Sequence, residues 1–275
     1  MILEKAKFNF DHTKTIKKRA PKILLALFVF VLMICLSYIV LYPVLSLLSV
    51  TLRPAKEMFD ETVIWVAKNP TFVNLVNAFK TLNYGSLLLR TVFVTFSCAI
   101  FQMVTCSMAA YGLSRFNFKG KNLLFLLVIL TVVVPPQISQ IPNFINMRYF
   151  NFLGIGSVVR LMTGEGISLI NTKLVLILPT IFGAGLQSGL YIFVFRQFFM
   201  GMPKGLEEAA KIDGCNAAQT FVKIITPNNI PVFVVVFLLS VVNYWNDTAI
   251  TGLYLTSDSS NLLMHSISKY ITHTI

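Results

Sequence analysis

Five stretches of this chain contain no Asp, Glu, Lys, Arg or His: Ile23 to Leu52, Thr91 to Ser114, Asn122 to Met147, Leu174 to Phe195 and Ile224 to Asn246. Each reaches the ~20 residues that an α-helix needs to cross the ~30 Å hydrocarbon layer of a membrane. No water reaches backbone N–H and C=O groups inside that layer, so such a segment must satisfy them internally, as a helix. The five together predict an all-α fold, a polytopic transmembrane helical bundle with five recognisable spans. With 56% hydrophobic and 12% charged residues, the chain lies outside the range of ordinary soluble domains. The third stretch holds Pro135 and Pro136, which break its hydrogen-bond ladder, so it is expected to kink or end there.

Basic residues orient the spans. Lys5, Lys7, Lys14, Lys17, Lys18, Arg19 and Lys22 precede the first stretch, against only Glu4 and Asp11. By the positive-inside rule, residues 1–22 form a cytoplasmic basic segment. Counting forward, Arg115, Lys119 and Lys121 fall in a cytoplasmic turn, and Arg196, Lys204, Lys211 and Lys223 in a longer cytoplasmic loop, 196–227. Residues 53–90, 148–173 and the tail 247–275 are then external, around a transmembrane domain of residues 23–246. The net charge of +12 is spread among loops and terminus, with no aromatic-interleaved patch for nucleic acid, which leaves anionic lipid as the charged partner.

The cytoplasmic loop has structure of its own. Gly205 to Asp213 are good helix formers with Glu207 and Glu208 in the first turn, where the helix dipole favours negative charge. Glu207 and Lys211 are spaced to pair, and Gly214 suits the left-handed residue that ends a helix. A second short helix is expected from Ala217 to Ile225, running up to Pro227. Ala209 and Ala210 leave a shallow face for close approach by another protein.

Glu208-Ala209-Ala210, then Gly214, then Ile224 and Pro227 at their spacing resemble the EAA loop of binding-protein-dependent ABC importer permeases, with Thr226 where Leu is usual. The resemblance extends from about Pro70 to the end. It is carried by Ala109-Ala110-Tyr111-Gly112-Leu113-Ser114-Arg115-Phe116, Val134-Pro135-Pro136-Gln137, Arg196-Gln197-Phe198-Phe199, Glu207 to Gly214 and Tyr244-Trp245-Asn246-Asp247. These strings are similar to the permeases of carbohydrate importers of the maltose type. The resemblance implies a type I ABC importer permease-like bundle in a bacterial or archaeal cytoplasmic membrane. Its implied partners are a second homologous permease, two ATPase subunits and an extracellular sugar-binding protein. Glu207, Glu208, Ala209, Ala210, Asp213 and Gly214 would couple it to the ATPase.

The residues agree with that division of labour. All eleven Asp and Glu lie outside the spans, which argues against an intramembrane ion relay. No Gly-x-x-x-x-Gly-Lys-Ser/Thr phosphate loop occurs, so no cofactor is expected on this chain and ATP-Mg belongs to a partner. Cys35, Cys98, Cys106 and Cys215 have no metal or disulfide spacing and read as small apolar fillers. Sugars are read by hydroxyl hydrogen bonds and ring stacking, which makes Gln187, Tyr191, Asn243, Tyr244 and Trp245 the substrate-path candidates. Gly185 and Gly189 read as packing glycines.

Two departures stand out. The external segment 151–172 is long and has no role in this reading. The family also has a sixth span, which would be expected to follow the tail 247–275; without it one wall of the pore would have to come from elsewhere. The competing readings are an importer of another solute such as a peptide, amino acid or glycerol phosphate, a non-transporting fragment, and a polytopic lipid enzyme. The last would need a catalytic cluster, and His12, His265 and His273 are scattered.

Overall fold

A single helix of 50 residues, α1 (Ile2–Thr51), runs from the basic N-terminal segment straight through the first apolar stretch. The computed structural model describes residues 2–54, 57, 67–151, 154–163, 166–257 and 260–274. Every element among them is helical. Two units are separable, Met1–Thr81 and Leu82–Ile275.

In the first unit, Leu24–Thr51 is apolar enough to cross a membrane, and every side chain from Leu24 to Leu45 is exposed. A helix that is apolar on all sides and exposed on all sides is suited to lipid. Beyond it, Asn74 Nδ2 donates to Arg53 O at 2.7 Å, tying α2 (Val73–Thr81) to the end of α1. The Glu57 carboxylate accepts from the backbone N–H groups of Lys68 (3.0 Å) and Asn69 (3.1 Å).

The second unit is built around α3 (Tyr84–Arg115), a continuous 32-residue helix. The third apolar stretch becomes α4 (Lys121–Val133) and α5 (Pro136–Arg148), which meet at 102° across Val134 and Pro135. This is the break expected from the paired prolines. After it come α6 (Ile155–Thr163), α7 (Leu174–Ile181) and α8 (Ser188–Gly201). The fourth stretch is therefore not the one continuous helix expected but two helices separated at residues 182–187. Gly183 (φ +69°) and Gln187 (φ +55°) take left-handed conformations there, which no helix continues through.

The loop 196–227 folds as α9 (Gly205–Ile212), α10 (Ala217–Thr220), a π turn (Phe221–Ile225) and α11 (Thr226–Asn228), followed by α12 (Ile230–Asn246). The arm Ala217–Asn228 meets α12 at 84°. Ile224 to Asn228, assigned from sequence to the fifth span, thus belong to the arm, and Pro227 lies inside it instead of ending it. The tail contains α13 (Ala249–Tyr254) and α14 (Leu263–Thr274). Leu255, Leu262 and Leu263 are buried, and Leu263 N–H donates to Thr91 Oγ1 at 2.8 Å, seating α14 on α3.

α3 packs mainly against α8, α12 and α7. Two apolar clusters lie along it. One gathers Val94, Cys98, Leu169, Val175, Ile177, Tyr254 and Leu255. The other gathers Cys106, Ala110, Tyr191, Phe195, Phe199, Ile225 and Val236. The long segment 151–172 contributes Leu169 to the first cluster. It is held there by Asn171, whose Oδ1 accepts from Thr256 N (2.8 Å) and Ser257 N (3.0 Å). Cys98 and Cys106 pack as the small fillers expected. Gly189 packs against α4: a Cβ there would overlap Thr131 and come to 3.0 Å of Val128 O.

Candidate coupling site and the broken span

α9 is short and closed at its C-terminus by its own backbone. Cys215 N–H donates to Ala210 O at 2.9 Å and Gly214 N–H to Lys211 O at 3.1 Å, the paired bonds of a Schellman ending, with Gly214 left-handed at φ +81°. The chain restarts at once, because Asn216 Oδ1 accepts from Gln219 N (2.8 Å) and Gln219 Oε1 accepts from Asn216 N (2.9 Å). This reciprocal capping box begins α10. Two helix ends thus meet across Gly214, as the sequence suggested.

The sides of α9 differ from the sequence reading. Ala210 is turned inward and buried, so only Ala209 of the alanine pair is on the open face. Glu207 does not depend on Lys211: its Oε1 lies 2.9 Å from Arg115 Nε, with both side chains almost fully enclosed. The two atoms form an ion-pair contact without an aligned hydrogen bond. The open face carries Leu206, Glu208, Ala209, Ile212 and Asp213, and Ile212 is 86% exposed.

Cations hold the ends of α3 and α8 together beside α9. Arg115 Nη2 donates to the carbonyls of Phe199 and, at 2.9 Å, Met202, the last groups of α8. Lys121 Nζ donates to Ser114 O and Phe116 O, both at 3.0 Å, and Arg196 Nε to Leu113 O at 3.4 Å. These carbonyls lie at helix C-termini, where no intrahelical N–H remains and the dipole favours positive charge. Arg196 also stacks 3.8 Å from the Phe125 ring centroid. Thr226, the departure from the family pattern, donates to Phe221 O at 2.9 Å and so supports the π turn.

The break between α7 and α8 leaves backbone groups without helical partners, and side chains of neighbouring helices satisfy them. Leu186 N–H donates to Tyr244 OH at 2.9 Å, while Gln102 Nε2 donates to Leu186 O. Gln102 Nε2 also reaches Ser188 Oγ (3.1 Å), and Ser240 Oγ donates to Gln102 Oε1 at 3.0 Å. Thr105 Oγ1 lies 3.1 Å from Thr180 O and 3.2 Å from Ile181 O. Gln102, Thr105 and Ser240 were not among the residues singled out from sequence. A lone glutamine inside the uncharged stretch Thr91 to Ser114 was the signal available.

The substrate-path candidates separate into three groups. Asn243 Nδ2 donates to Tyr191 OH (2.7 Å) and Gln187 Oε1 (3.2 Å), which brings three of them together. Gln187 is exposed and Asn243 half-buried, whereas Tyr191 and Tyr244 are enclosed in the bundle. Trp245 is half-buried and is not part of this hydrogen-bonded group. Among the described residues no group of His, Cys, Asp or Glu is placed to hold a metal ion.

Helices apolar enough to cross a membrane, a broken helix pair satisfied by its neighbours and a surface helix-glycine-helix knob are the features of a polytopic membrane protein. Residues 102–275 match the family of binding-protein-dependent transport system inner membrane components, and the chain belongs to that family. It is similar to the arabinooligosaccharides transport system permease protein AraQ of Halalkalibacterium halodurans, 29% identical over 77% of this chain and 69% of that one. It is also similar to the trehalose transport system permease protein SugB of Mycobacterium tuberculosis, 30% identical over 75% of this chain and 68% of that one. A solved bacterial ABC transporter involved in the import of the acidic polysaccharide alginate shares the fold, with TM-score 0.70 and 19% identity over 92% of this chain and 80% of that chain.

Proposed function

We propose that this permease carries a carbohydrate of the oligosaccharide class, and that α9 is the helix through which partner ATPase subunits drive it. The substrate class is supported by what the similar permeases are named for, arabinooligosaccharides and trehalose. The observation that carries the coupling role is the open face of α9, where Ile212 is 86% exposed beside Glu208 and Ala209 on a helix fixed by Gly214. An exposed branched aliphatic side chain flanked by a carboxylate and a small residue suits a protein groove better than water. Glu208 would supply the polar anchor, Ala209 the close approach and Asp213 the rim.

The proposed assembly contains a second homologous permease, two ATPase subunits and an extracellular sugar-binding protein, with ATP-Mg held by the ATPase alone. The N-terminus of this chain and α9 both face the cytoplasm, as the basic residues ahead of α1 favour. ATP-driven closure of the ATPase pair would rotate the attached helices and alternate access to the path. Gln187 and Asn243 are the residues placed to meet a sugar, while Tyr191 and Tyr244 shape the wall behind them.

The experiment is co-purification of the tagged chain with its ATPase in mild detergent, together with uptake of labelled oligosaccharide by intact cells. Ile212→Glu should insert normally, lose the ATPase and abolish uptake. Retention of the ATPase by that variant would refute docking through α9.

A further inference from the structure

We propose that Arg115 is the positioning residue that transmits motion of α9 into the transmembrane bundle, with Glu207 acting inward on Arg115 instead of outward on the ATPase. This rests on the reading of α9 as the docking helix.

Arg115 is the last residue of α3 and reaches both α9 and the end of α8: Glu207 Oε1 lies at 2.9 Å, and Nη2 donates to the Phe199 and Met202 carbonyls. Both members of the ion pair are almost fully enclosed, so the contact has little solvent screening, and breaking it would leave a charge buried without its partner. A push on α9 is therefore delivered to the ends of α3 and α8 together.

α8 is the second half of the broken span, and α3 packs along both halves. α3 is continuous for 32 residues, about 48 Å at 1.5 Å per residue. Along it Gln102 holds Leu186 and Ser188 at the break, and Thr91 accepts from Leu263 at the start of α14. A rigid helix with the ion pair at one end, the break at its middle and the tail helix at the other can move the Gln187–Asn243 group without deforming. Glu208, on the open face, remains available to the ATPase while Glu207 does not.

The test uses the assembled transporter in proteoliposomes, with a photo-crosslinking residue at Ala209 and with Glu207→Gln and Arg115→Gln compared with the parent. ATP hydrolysis, sugar uptake and crosslinking to the ATPase are all measured. The expected result is that both variants keep the crosslink and hydrolysis while uptake per ATP falls about tenfold, as for loss of one charge-assisted contact. Glu207→Gln keeps the shape of the side chain, so it remains informative if Arg115→Gln misfolds. Unchanged uptake per ATP with the crosslink intact would overturn the role of Arg115 alone. Loss of the crosslink only in Glu207→Gln would overturn it by making Glu207 a docking residue. Absence of a crosslink in the parent would overturn the docking reading and this proposal with it.

Discussion

Tyr244 OH accepts the backbone N–H of Leu186 at 2.9 Å, so a side chain of α12 completes the main chain of the break between α7 and α8. The bond gives a buried tyrosine a structural task, and it removes from the substrate surface a residue that the sequence placed there. Tyr244→Phe keeps the ring and orphans one N–H, at a cost of about 1–3 kcal/mol. The expected outcome is a lower melting temperature in detergent with an unchanged KM for sugar; a raised KM at unchanged stability would return Tyr244 to the path.

Gln102 bridges the break to α12, bonding Leu186 and Ser188 through Nε2 and accepting from Ser240 through Oε1. Gln102→Leu is close in volume but leaves several buried polar atoms unpaired. Its loss should exceed that of Ser240→Ala, by about 1–2 kcal/mol. Thermal unfolding of the two purified variants and the double variant checks both the order and the coupling between them.

Gly214 has φ +81° and open space around it, so a side chain there is penalised by backbone conformation alone. Forcing an L-residue into that region costs about 1–2 kcal/mol, less for asparagine. Uptake should decline in the order Gly, Asn, Asp, Val, with each variant inserted at normal levels. Gly214→Asp should uncouple the transporter, seen as ATP hydrolysis without sugar uptake.

Asn243 holds Gln187 and Tyr191 in one group. If that group meets the sugar, Asn243→Ala should raise the KM for uptake about tenfold through loss of one or two hydrogen bonds, with unstimulated ATP hydrolysis unaltered. An equal fall in stability and transport, with KM unchanged, would assign Asn243 to structure only.

Thr226 supports the π turn through its bond to Phe221 O. Thr226→Val removes the hydroxyl and keeps the shape, so the turn should loosen by about 1 kcal/mol. Faster amide hydrogen exchange confined to residues 221–229 is the expected signature.

The class of protein was legible in the sequence because hydrocarbon imposes so few solutions: five charge-free stretches could only be helices, and Gly214 between two helix-forming segments could only be a break. The helix-glycine-helix knob followed from local rules, and its Schellman ending and capping box are local structures. The sides of α9 were not legible, because spacing cannot tell which neighbour lies beneath. Glu207 was as well placed for Lys211 as for Arg115, yet Arg115 is 92 positions earlier in the chain.

The same limit explains the fourth stretch. Leu174 to Phe195 is uninterrupted by charge, and composition made it one span. Only the fold shows that its backbone can break at residues 182–187, since the break is stable only where Gln102 and Tyr244 arrive from other helices to satisfy it. By itself, then, the sequence determined that the chain lies in a membrane, how its apolar segments are ordered, and where its surface loop turns. The tertiary structure decided which polar groups meet inside, because an unpaired donor or acceptor at membrane depth is excluded by energy, and the partner that pairs it is chosen by packing.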